Sequence, residues 1–293
     1  MKGIKGFWNR IDTERVKFTE KVQFPDASKI GRWPPGIITV GKAGEMYATL
    51  KEAADSIRDS GVHKQYALLI SGGYYDGGFI LPPYVHLISF ADAVITSKFT
   101  ILGGSCYIDR VRLLPVFGDI LDMEGASVTF LCSRIWGGLN FTGNGVLTFI
   151  NCDGTFNIQQ LGTNAVTTEL WGTEMTGNLR KISAGLWQLL MESSRIIGQI
   201  YAEKAEHRFK IYHSQIVNVS SLSSIQLEAG IAGSYLHLGH STLVTDPAVP
   251  TINKTGGVGN IEAWTYLNGL SSAYANVNEN IAAGGNIIAP GMV

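Results

Sequence analysis

Asp153, Glu174 and Glu192 are the residues of this chain whose type and spacing could do chemistry. They recur at nearly one interval, 21 and then 18 positions apart. If the chain returns to the same place about every 20 residues, two of these carboxylates would face one groove. A pair about 5–9.5 Å apart is what glycoside hydrolysis requires. The other acids, among them Asp119, Asp122, Glu124, Glu203, Glu206 and Glu228, are scattered and form no Asp-Asp or Asp-x-Asp pair. Of the six histidines, His237 and His240 are the one local pair, and in a strand that odd spacing sends them to opposite faces. Cys106, Cys132 and Cys152 lack Cys-x-x-Cys spacing, so they read as buried thiols of a reducing compartment, with no zinc site and no disulfide framework. No dinucleotide-binding glycine motif, phosphate loop or Gly-x-Ser-x-Gly elbow occurs. The expectation is therefore no catalytic set, no metal and no cofactor, with Asp153, Glu174 and Glu192 as the catalytic alternative.

What would position such residues is a repeat. The stretches VTFLCSRIWGGLNF, LTFINCDGTFNI, TTELWGTEMTGNL, QLLMESSRIIGQI and FKIYHSQIVNV share one grammar. Each is an apolar strand, a polar residue, a small residue, a second short apolar strand and a Gly or Asn turn. Aligned on the small residue, they put Ser133, Cys152, Gly172, Ser194 and Ser214 in one column, and Ser241 extends it at a longer gap of 27. A period near 20 with several short strands per repeat means a chain winding into a solenoid. Phe130, Phe149, Leu170, Leu190 and Ile211 are then the inward residues, each above the last. Trp136, Trp171, Trp187, Tyr201, Tyr212 and Tyr235 recur as well. If outward they would stack on sugar rings; the reading taken is core or intersubunit contact.

Composition excludes several classes. The chain has 293 residues, 23 basic against 24 acidic, and 16% charged residues against a usual share of about 25%. Glycine supplies 35 residues. Near-neutral charge argues against a nucleic-acid binder. No apolar run reaches the roughly 18 residues of a membrane span, and the first residues carry no apolar signal core.

The ends differ from the middle. Residues 1–36 form a basic arm containing Lys2, Lys5, Trp8, Arg10, Arg15, Arg32 and Trp33, and close on Pro34-Pro35-Gly36. Such an arm orders against a partner. Residues 37–264 form the repeat domain. Within it Thr49-Leu50-Lys51-Glu52 is a capping box, followed by Leu50, Ala53, Ala54 and Ile57 at helical spacing up to Gly61. A helix over about 50–60 is expected, plugging the open end of the rod. Residues 265–293, with Glu279 their one charged residue, are expected to be a cap or an oligomer contact.

GEMYATLKEAADSIRDSG followed by YALLISGGYYDGGFILPPYVHLIS resembles the opening of pectin-lyase-like right-handed parallel β-helix proteins. There a capping helix leads into a strand, a G-x-Y turn and an apolar-Pro strand, places taken here by Gly73-Tyr74 and Leu81-Pro82. The resemblance covers residues 44–90 and, more loosely, the 20-residue coils to about 245. It implies a single-stranded right-handed parallel β-helix, a fold shared by polysaccharide lyases, pectin esterases, glycosidases and bacteriophage tailspikes or surface proteins. No esterase, pectate-lyase or polygalacturonase signature is present. The resemblance then implies a non-enzymatic structural protein of a bacteriophage virion surface, made in the host cytoplasm. It would be a capsid decoration protein or a tail spike or fibre component. The partners it implies are two further copies in a homotrimer, other virion proteins held through residues 1–36, and a host surface glycan. No nucleic acid and no membrane insertion are expected. The alternatives are a tailspike-type lyase or hydrolase and a carbohydrate-binding module.

Overall fold

A computed structural model describes residues 36–41, 45–220, 222–227, 234–246, 252–254, 260–267, 277–279 and 287–288. For Lys254 and the strands after it, the backbone alone is described. Lys2, Lys5, Trp8, Arg10, Arg15, Arg32 and Trp33 of the expected arm lie outside these residues, as does most of 265–293.

The chain is a parallel β-solenoid of about eight turns with very little helix, consistent with a right-handed β-helix. Every pairing between named strands is parallel and joins one turn to the next, as Gly145–Ile150 pairs with Val166–Trp171 and that strand with Leu186–Glu192. Parallel in-register stacking sets like positions of successive turns about 4.8 Å apart. Burial alternates along strands such as Val166–Trp171 and Leu186–Glu192, so every second side chain of these enters one continuous core. The core column Phe130, Phe149, Leu170, Met191, Ile211, Leu238 follows from this register. Met191 takes the place expected for Leu190, which instead follows Glu169 on the outer face. Phe130 and Phe149 stack with centroids 4.8 Å apart and planes within 4°.

Between two strands of six successive turns the chain bends through one left-handed residue. Cys132, Asn151, Gly172, Ser193, His213 and His240 hold this place, with φ of 46°, 52°, 56°, 49°, 47° and 49°. The next residue points inward: Ser133, Cys152, Thr173, Ser194, Ser214 and Ser241, all buried. Thr173, not Gly172, therefore belongs in the small-residue column, and Gly172 belongs in the left-handed one. Gly172 is itself small, as are Cys132 and Ser193 in the same column, so an alignment on small residues can slip by one position there.

The buried hydroxyls explain why small polar residues recur there. At this corner the backbone N–H has no strand to bond, and an unpaired buried N–H is costly. The amide of Thr173 donates to Ser194 Oγ (3.0 Å), that of Ser194 to Ser214 Oγ (3.1 Å) and that of Ser214 to Ser241 Oγ (3.2 Å). Each hydroxyl donates in turn to the carbonyl two residues earlier, as Ser194 does to Glu192 (2.9 Å) and Ser241 to Gly239 (3.0 Å). The ladder knits each turn to the next along the length of the corner.

The first edge of the solenoid is covered. Tyr47 N–H donates to the Thr39 carbonyl (3.2 Å), and the helix Leu50–Ser56 buries Leu50, Ala53 and Ala54. Thr49 Oγ1 accepts from the Glu52 amide (3.1 Å), so the expected N-cap is present. The helix has seven residues rather than eleven. Ile57 turns extended (ψ 113°), and its side chain still docks in the core. Gly61 is instead bridged to Lys64 in the turn that follows.

Candidate functional site

Asp153 and Glu174 open the strands Asp153–Gln160 and Glu174–Thr176, immediately after the corner, and are register partners. Their column continues downward to Arg134 and upward to Arg195, Gln215 and Thr242. Neighbouring turns thus bring two carboxylates to one face of the rod. Each is closed by its own cation, Arg134 on Asp153 (3.3 Å) and Arg195 on Glu174 (3.1 Å). Their side chains are 54% and 59% exposed. A general acid needs the opposite setting, an apolar and unpaired one. Glu192 lies across the corner, at the end of Leu186–Glu192, where its Oε1 stands 2.8 Å from His213 Nδ1. Of the three acids, only Glu174 lines the hollow of about 370 Å³ at this corner, with Ser193, Arg195, His213, Gln215 and His240.

Trp136, Trp171 and Trp187 form no row. Trp187 is fully buried, its indole N–H on Thr168 Oγ1 (3.3 Å) and its ring edge-on to Phe209. Trp171 is 37% exposed at the end of the strand before the corner, and Trp136 is half-buried on the strand after it, so the two face different ways.

A second hollow, of about 360 Å³, lies on another side of the rod. Asp119, Asn140, Asn157, Gln159, Asn178 and Arg180 line it. Asn140 Nδ2 donates to Asp119 (2.8 Å) and Asp122 (3.1 Å), while Asn157 and Asn178 each accept a backbone N–H from the next turn. These bonds hold the amides in place as a fixed array of donors and acceptors. At one end the chain is drawn out into residues 114–118, where Val116 is 70% and Phe117 89% exposed.

Two titratable groups that sequence reasoning misses lie on the outer face before the corner. His86 is buried; its Nδ1 accepts the Tyr107 amide (3.0 Å) and its Nε2 faces Gln65 Oε1 (3.2 Å), which fixes the neutral Nε2–H form. Burial pulls its pKa down to about 4. Asp109, a register partner of Ile88 and Leu131, is buried too, and burial pushes it up to about 6 against the pull of Arg110. The signal in the sequence is a charged residue inside Ser105–Leu113, with apolar Ile108 before it.

The two groups act oppositely on stability. As pH falls from about 6.5 to 4, the unfolded chain protonates its histidine and the folded chain does not, so His86 removes up to about 3 kcal/mol. From about 6 to 3.8, the folded chain takes up the Asp109 proton first, which returns up to about 3 kcal/mol. Between pH 6 and 4 this pair should leave stability nearly flat. Asp109→Asn should expose a fall in urea midpoint over that range, and His86→Gln a rise; the same slope in both variants would refute the pairing.

The fold and corner define a parallel β-solenoid with ion pairs on its outer face. Comparison of the chain with protein-family models, with curated proteins and with solved structures finds no match in any of the three. Among the described residues no helix is long and apolar enough to cross a membrane.

Proposed function

We propose that the chain is a non-enzymatic structural component of a bacteriophage virion surface, a capsid decoration protein or a tail spike or fibre subunit. In this reading it assembles as a homotrimer and is anchored by its basic N-terminal arm. The observation that carries it is the outer face beside the corner. The acids with the best spacing for chemistry are spent on Arg134, Arg195 and His213, fastening one turn to the next. A rod built this way offers stiffness and faces for contact. The resemblance over residues 44–90 supports the phage setting, and the net +4 of the segment up to Arg32, on a chain of net −1, supports an anchoring arm. Light scattering coupled to size exclusion on the full chain tests the assembly. A mass near three times 31.7 kDa is expected, and a clean monomer at micromolar concentration would overturn the trimeric reading.

A further inference from the structure

We propose that His213 and His240 form a site for a divalent transition-metal ion of the zinc class, clipped across two successive turns, with Glu192 as a positioning residue behind His213. The two histidines are 27 residues apart in sequence, yet both are the left-handed residue of their corner, with φ of 47° and 49°. Equivalent backbone geometry sends both side chains out in the same direction. Their rings lie parallel, within 6°, with centroids 5.5 Å apart.

Glu192 makes this more than a stacked pair. Its Oε1 sits 2.8 Å from His213 Nδ1. A carboxylate there accepts the Nδ1–H, fixes the tautomer and leaves the Nε2 lone pair outward, the arrangement by which proteins orient a metal-binding imidazole. Neutral imidazole favours zinc, copper and nickel over the hard cations. Rotations of two exposed side chains would bring both outer ring nitrogens to one ion at the usual distance of about 2.0–2.1 Å. Among the described residues no group of three or more His, Cys, Asp or Glu side chains converges as a metal site. The protein therefore supplies two ligands here and water the others, and the hollow beside the rings, lined by Ser193, Gln215 and Thr242, has room for that water. Because the ligands sit on different turns, the ion would staple the turns together, binding the folded pair and not the unfolded chain. This inference stands apart from the virion reading.

The test is a calorimetric titration of zinc chloride into the full chain, with a thermal melt of the same samples. About one ion per chain is expected at this site, with a rise in melting temperature. His213→Asn and His240→Asn should each weaken binding about tenfold or more and abolish the rise. Asparagine tolerates the left-handed conformation, so both variants should fold. Glu192→Gln should weaken binding by less. Unchanged binding in His240→Asn would overturn the site, and so would a wild-type chain showing neither heat nor a melting shift.

Discussion

Phe149→Asp should cost at least about 4 kcal/mol of stability, and the reason is the stack. Phe149 is fully buried. Phe130 lies flat against it at 4.8 Å, Phe156 packs at 5.6 Å, and Leu170 occupies the same position one turn on. A carboxylate there loses the ring contacts and leaves a charge with no partner in an apolar column, where it must protonate or remain at a cost of several kcal/mol. For a domain of this size each kcal/mol shifts Tm by about 2–4 °C, so a fall of about 10 °C or more is expected. Phe149→Leu keeps the column apolar and should lose much less. Thermal melts followed by circular dichroism measure both. Equal melting temperatures for wild type and Phe149→Asp would mean that this residue does not stand in the core column.

Gly154→Ala should be nearly as damaging, by a different route. Gly154 has φ +148°, and a Cβ placed on it would lie 1.8 Å from the backbone carbonyl oxygen of Ile135 on the preceding turn. The obstacle is backbone rather than a side-chain end, so relief requires prising two paired turns apart. A loss of about 3–5 kcal/mol is expected, in the range of a severe backbone mutation. Gly73→Ala is the control, because Gly73 has φ +140° and a Cβ added there would meet nothing within 4 Å. It isolates the conformational strain, about 1–2 kcal/mol. If urea denaturation finds the two variants equally destabilised, close approach of the turns is not what requires Gly154.

Both predictions depend on register, and register is where sequence and structure part. A slip of one residue exchanges every inward side chain for an outward one. The column through Ser133, Cys152, Ser194, Ser214 and Ser241 is legible in the sequence because each position must supply something small for a buried corner amide. Gly172 displaces Thr173 in a sequence alignment because the adjacent left-handed column also accepts small residues. Leu190 displaces Met191 because two apolar residues in a row carry no sign of which faces in. Thr49 as a helix cap is legible because capping chemistry is local. The helix length is not, because Ile57 keeps its apolar contact after leaving the helix.

The amino-acid sequence by itself determined the winding period, the stacked apolar core, the column of small residues and the capped first edge. These come from interactions that repeat with the chain or act within a few residues. The tertiary structure alone decided which outer charges meet. It closed Asp153 with Arg134 and Glu174 with Arg195, buried Asp109 and His86 on a face where polar residues are usually wetted, and stacked His240 on His213. That last pairing spans a turn of 27 residues rather than about 20. A departure from the common period cannot be aligned by counting residues, and only the folded backbone fixes which corner residues meet.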